Sequence, residues 1–170
     1  MRQIKHSQLF LDSLIHPKKL AAYRILSIGK VIQYTFLLVF ILTTFSFGQF
    51  VNDGANIVLT DEIKDFAEDL QFLVYIIGAI FLFAMNTAVV FGKISIYAYV
   101  ALLLSNAMKR RSEYRQLWRT TAFAVTWETI LSIIFTILAI PSSISLLIFV
   151  VITMSILIVA LTKYPKLPSK

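Results

Sequence analysis

Two ionisable side chains stand where ionisable side chains are expensive. Lys93 is the only charged residue between Phe72 and Met108, and Glu128 is the only one between Thr121 and Thr162. A charge at the centre of a bilayer costs ~3 to ~17 kcal/mol, so each needs a partner, a water-filled cavity or a way out to the headgroups. Asn86, Lys93 and Tyr97 share one side of a helix, and Thr121, Glu128 and Ser132 line another, with Thr129 and Thr136 nearby. Lys93 and Glu128 carry opposite signs and can reach similar depth in adjacent antiparallel helices. Two readings stay open. Either Lys93 snorkels to the inner headgroups, which is the expectation taken forward, or it pairs with Glu128. A pair reads as structural before it reads as a transport relay, because a buried pair can be neutral for stability and still fix helix register.

Other chemistry finds no constellation. His6 and His16 are the only histidines and there is no cysteine, so disulfides, thiolate zinc sites and cysteine nucleophiles are excluded. "SIGKV" lacks the upstream glycine of a phosphate loop. There is no nucleophile elbow, no HExxH and no pair of carboxylates in one apolar site. The expectation is a protein that is not an enzyme and carries no metal or cofactor.

The elements that position these residues follow from hydropathy. The chain has 170 residues, 58% of them hydrophobic, with a mean hydropathy of +0.80. Apolar runs of eighteen or more residues read as membrane-crossing helices, and they place spans at about 31–50, 72–108, 120–140 and 144–161. Pro141, Ser142 and Ser143 form the turn between the last two. The second run is too long for a ~30 Å hydrocarbon core, so it must tilt, kink near Gly92, or project. The apolar run starts only at Val31, so the first span is expected to stay in the protein rather than be removed as a leader.

Charge sets the orientation. Basic residues gather before the first span, in the loop 109–119 and in the tail, while the segment 51–71 is acidic. The positive-inside rule then puts both termini and the basic loop in the cytoplasm and the acidic segment outside. The fold class is all-α: a polytopic helical membrane protein with four transmembrane helices, N-in and C-in. Residues 1–30 form a cytoplasmic basic segment of amphipathic surface helices ahead of a single bundle, 31–170. In that segment Ile4, Leu11, Leu14 and Ile15 fall on one side, with Lys5, Gln8 and Asp12 away from it. The net charge of +7 is assigned to anionic lipid through Lys18, Lys19, Arg24, Lys109, Arg110 and Arg111, not to nucleic acid. Ala84, Ala88, Gly92 and Ser95 make a small-residue stripe suited to close helix packing.

The stretch "FLDSLIHPKKLAAYRILSIGKVIQYTFLL" resembles a family of bacterial integral membrane proteins of unknown function. This is the domain-of-unknown-function 1189 type, some of whose members are labelled maltodextrin-utilization protein MalA. Phe10, Ser13, Pro17, Lys18, Ala21, Tyr23, Arg24, Ile28, Gly29 and Lys30 match the pattern, and "YRQLWRTTAFAVTWETIL" is similar. Family members usually carry a larger outer domain where this chain has a shortened outer segment. Where the pattern has proline after Thr126, this chain has Trp127 and Glu128. The resemblance implies a bacterial plasma membrane and supplies no activity. The function expected is a non-enzymatic accessory or scaffold subunit that associates with another membrane complex, such as a sugar transporter. The alternative is a small transporter or ion-coupled carrier that uses Lys93 and Glu128.

Overall fold

The computed structural model describes residues 6–55 and 61–167. The expectations for Ile4, Lys5 and residues 56–60 lie outside these. The elements are α1 (His6–Ile15), a 3-10 helix (Pro17–Ile25), α2 (Ile28–Ala55), α3 (Asp61–Ala107), α4 (Tyr114–Ala124), α5 (Thr126–Ile137) and α6 (Ser142–Leu161). No strand occurs among the described residues.

Four stretches are long and apolar enough to cross a membrane: Ile28–Asn52, Phe72–Ala107, Tyr114–Ile137 and Ser142–Leu161. Their number agrees with the expectation from hydropathy and some of their edges do not. The third begins at Tyr114, so the basic loop expected over 109–119 ends at Glu113, and Arg115 and Arg119 are helical. The segment 51–71 is largely helical too, because α2 runs to Ala55 and α3 starts at Asp61. α3 is assigned as one helix of 47 residues, about 70 Å long, more than twice a ~30 Å hydrocarbon core.

Two helices end on non-glycine residues in the left-handed region. Lys109 has φ 52° and Ala139 has φ 51°. Each follows a helix whose last carbonyls are closed by a backbone bond five residues back, Arg110 N–H to Ser105 O at 2.8 Å and Ile140 N–H to Phe135 O at 3.0 Å. This is the usual glycine termination made without glycine, at a cost of ~1 kcal/mol each.

The core gathers at one end of the bundle. Leu9, Leu20, Tyr34, Leu38, Leu117, Phe123, Leu157 and Tyr164 are buried together. The N-terminal segment therefore supplies core instead of lying peripherally, and its expected face is corrected. Leu9, Asp12 and Ser13 are buried, while Leu11 and Ile15 are exposed. Asp12 is what turns the face inward. Its carboxylate accepts from Tyr23 Oη at 2.6 Å and Lys19 Nζ at 2.9 Å, tying α1 to the 3-10 helix. The Tyr23 bond is the largest cause holding the Asp12 carboxyl below its ordinary value of 3.8, with Lys19 and His16 adding to it against the opposing effect of burial. The same contact and, above all, burial push the Tyr23 hydroxyl up. Trp127 Nε1 donates to Leu14 O at 3.0 Å, and Tyr23 and Tyr34 both pack on the Phe123 ring.

Candidate functional site

α3, α5 and α6 meet around one pair of charges. Lys93 Nζ lies 2.7 Å from Glu128 Oε1, with the lysine side chain 44% exposed and the glutamate 5%. Counted from Ala107 on α3 and from Tyr114 on α4, both stand about 21 Å from the same end of the bundle at 1.5 Å per residue. The snorkelling expectation gives way here to the pair, because Glu128 is within hydrogen-bond reach of the ammonium.

The carboxylate has further partners. Thr153 on α6 donates to Glu128 Oε2 at 3.2 Å, and the Tyr97 side chain interacts with the same group. Glu128 also sits in the first turn of α5, where helix N–H groups favour negative charge. That turn exists because the third apolar stretch is interrupted at Val125, where ψ opens to −3°. Threonine hydroxyls bond backbone carbonyls around the interruption: Thr126 Oγ1 to Phe123 O at 2.7 Å and Thr129 Oγ1 to Val125 O at 3.1 Å. Such back-bonding bends helices, so the chain makes this break without proline. Tyr34 Oη meets Thr126 Oγ1 at 2.7 Å and pins the break to α2.

A cleft of about 680 Å³ opens on one side of the pair. Its walls include Ile96, Phe135, Phe149 and Val150, with Ser132, Thr136 and Ser145 as polar points. Those three hydroxyls donate to carbonyls of their own helices and offer the cleft only acceptor capacity. On the other side, toward Leu42, Val90 and Val125, the space is far smaller, about 20 Å³, room for about one water. The geometry gives an ion pair bordered by a wide cleft on one side and a narrow space on the other. Such a pair can orient three helices and meet a polar group entering the cleft.

The remaining expected site residues divide. Asn86 does not join the charges; its Nδ2 donates to Thr43 Oγ1 at 3.2 Å and links α3 to α2. In the small-residue stripe Ser95 bonds another helix, accepting from Trp118 Nε1 at 3.3 Å. Ala84 and Ala88 are exposed, and a methyl group at Gly92 would meet nothing within 4 Å. The close approach of α2 and α3 is at Gly78 instead, where an added Cβ would lie 2.7 Å from the Phe50 ring. Among the basic residues assigned to lipid, three are committed within the chain. Lys19 pairs with Asp12, Arg24 lies over the Tyr164 ring at 4.9 Å, and Arg110 Nη1 donates to Tyr164 O at 2.8 Å. Lys18, Lys109 and Arg111 remain exposed. The described residues hold no cluster of three or more His, Cys, Asp or Glu able to bind a metal ion.

Among the described residues, an all-helical fold with four stretches long and apolar enough to cross a membrane, three of them meeting at an ion pair, fits the class of helical membrane proteins. Residues 52–161 match the family described as protein of unknown function (DUF1189), and the chain belongs to that family. The match contains Lys93 and Glu128 and begins after the N-terminal stretch that carried most of the sequence resemblance. No curated protein and no solved structure matches the chain.

Proposed function

We propose that the chain is a non-enzymatic, multi-pass accessory or scaffold subunit of a bacterial plasma membrane, N-in and C-in, that docks onto another membrane complex through α3. One observation carries this reading. Only 6% of the apolar window within Phe72–Ala107 is buried, against 28–50% for the other three stretches. α3 packs on its own bundle through α2 and α4, and leaves Ala84 and Ala88 exposed, the residue types that let helices approach closely in lipid. A Lys93 and Glu128 that satisfy each other at 2.7 Å suit a fixed scaffold better than a conducting path. The maltodextrin label of some similar proteins makes a sugar transporter a reasonable complex to look for.

The test is crosslinking in native membranes with cysteine or photoreactive residues at Ala84 and Ala88, followed by mass spectrometry. The proposal expects one recurrent membrane protein at these positions and none at Val151 on α6, which is also exposed. Labelling by lipid alone at both places would refute it. Orientation is read separately by impermeant maleimide on whole cells, which should label Asp65→Cys and spare Glu113→Cys.

The cleft supports a second reading, an ion-coupled carrier using Lys93 and Glu128. Its volume falls in the range of small-molecule sites. Under this reading Glu128→Gln abolishes substrate uptake into vesicles, whereas a scaffold with that substitution still recovers its partner.

A further inference from the structure

The end of the bundle carrying the basic loop holds a second cavity, separate from the ion pair. It measures about 430 Å³ and is lined by Ile28, Tyr114, Arg115, Trp118 and Arg119. We propose that it binds the phosphate head of one anionic phospholipid, with an acyl chain running down the Ile28 and Trp118 wall.

The argument begins with charge. Two arginines line the space and no acid does; Glu113, next to Tyr114, is exposed and outside the lining. Neither arginine is in an ion pair among the described residues. Arg115 is exposed and has no hydrogen-bond partner among them. Arg119 donates Nη1 to Arg24 O at 2.9 Å, and its Nε is buried with no partner. Guanidinium forks match phosphate oxygens geometrically.

Depth selects a lipid over a soluble phosphate. Ile28 opens the first membrane-crossing stretch and Tyr114 opens the third, so the cavity lies at headgroup level if both cross. Tryptophan and tyrosine favour that level. Trp118 is fixed there by its bond to Ser95 and its contact with the Phe91 ring, so the apolar wall is preformed. The start of α2 adds a weak attraction for an anion through its first N–H groups. A methyl at Gly29 would meet nothing within 4 Å, so the approach to those groups is open.

This proposal uses the membrane reading but not the partner of α3, so crosslinking at Ala88 can fail while the lipid site stands. The test is native mass spectrometry of the delipidated full chain with added dioleoyl phosphatidylglycerol, dioleoyl phosphatidylcholine, or glycerol 3-phosphate. One phosphatidylglycerol should be retained, about tenfold over phosphatidylcholine, as expected for one or two charge-assisted bonds. Arg115→Gln, at an exposed and unpartnered side chain, should lose most of that preference without changing thermal stability. Adding Arg119→Gln should remove the rest. The doubly substituted Lys109→Gln/Arg111→Gln, equal in charge to the double arginine variant, should keep it. Equal loss in that control would reduce the site to diffuse surface charge and overturn the proposal. Equal retention of the two lipids would also overturn it, and displacement of phosphatidylglycerol by glycerol 3-phosphate would overturn it by assigning the cavity to a soluble phosphate.

Discussion

Replacing Lys93 by methionine should destabilise the protein more than replacing Glu128 by glutamine, and the two together should cost far less than their sum. The structure sets the asymmetry. Lys93→Met strands a carboxylate that is 5% exposed, with the Thr153 hydroxyl and Tyr97 left to compensate it. Breaking a buried pair from one side costs about 3–5 kcal/mol, and Thr153 and the first turn of α5 argue for the lower end, about 3 kcal/mol. Glu128→Gln strands an ammonium whose side chain is 44% exposed; less buried than the carboxylate, it is expected to cost less, about 1–2 kcal/mol. Independent effects would sum to about 4–5 kcal/mol. With a real pair the double variant leaves no uncompensated charge and should sit near the milder single, a coupling of about 3 kcal/mol. The assay is reversible unfolding in mixed micelles, followed by circular dichroism as denaturing detergent rises. Additivity within about 0.5 kcal/mol would refute the coupling and return Lys93 to the headgroups. A milder Lys93→Met than Glu128→Gln would refute the burial argument separately.

The two glycines of α3 should behave oppositely. Gly78→Val should destabilise by about 1–3 kcal/mol, because the Phe50 ring must move; Gly92→Ala, in open space, should stabilise by about 0.5–1 kcal/mol through helix propensity, and the same unfolding assay reads both. Ala139→Gly should gain about 1 kcal/mol by relieving a φ of 51°; a loss there would mean the turn before Pro141 is held by something other than its backbone. Asp12 has a lowered carboxyl pKa in the fold, so its contribution is complete above its ordinary value of 3.8 and is lost as pH falls through the lowered one. Trp127, bonded to Leu14 O, should report no change in fluorescence between pH 7 and 5 and an undocking step in stronger acid, and Asp12→Asn should abolish that step.

The membrane-crossing stretches were legible because eighteen apolar residues in a row seldom fit anywhere but across a bilayer. Their edges were legible only where polarity changes sharply. Tyr114–Arg119 reads as a loop because it is basic and aromatic, yet it is the amphipathic first half of α4. Leu117 faces the core there, while Arg119 caps the carbonyl of Arg24. The N-terminal face was misread because Asp12 was assigned outward by charge, and a charge is a poor guide once Tyr23 and Lys19 satisfy it. The stripe from Ala84 to Ser95 was legible as a pattern but silent about its neighbour, since small residues look alike whether or not a helix lies against them.

The charged pair was the most legible part of the site, because two lone charges of opposite sign in apolar runs have few partners but each other. Thr153 was not seen, although a signal existed. Ser145, Thr153, Leu157 and Leu161 are all buried, and their spacing of four and eight marks one face of α6 with a hydroxyl at its middle. What no single-residue reading could supply is how Glu128 is accommodated there. The answer joins three separate helices. Lys93 on α3 brings the opposite charge, Thr153 on α6 brings a hydrogen bond, and the interruption at Val125 gives α5 a first turn of its own to set beneath the carboxylate. The hydroxyls of Thr126 and Thr129 hold the carbonyls at that interruption, so a run of threonines that looked like ordinary polar relief in an apolar helix instead makes the place where a glutamate can stand.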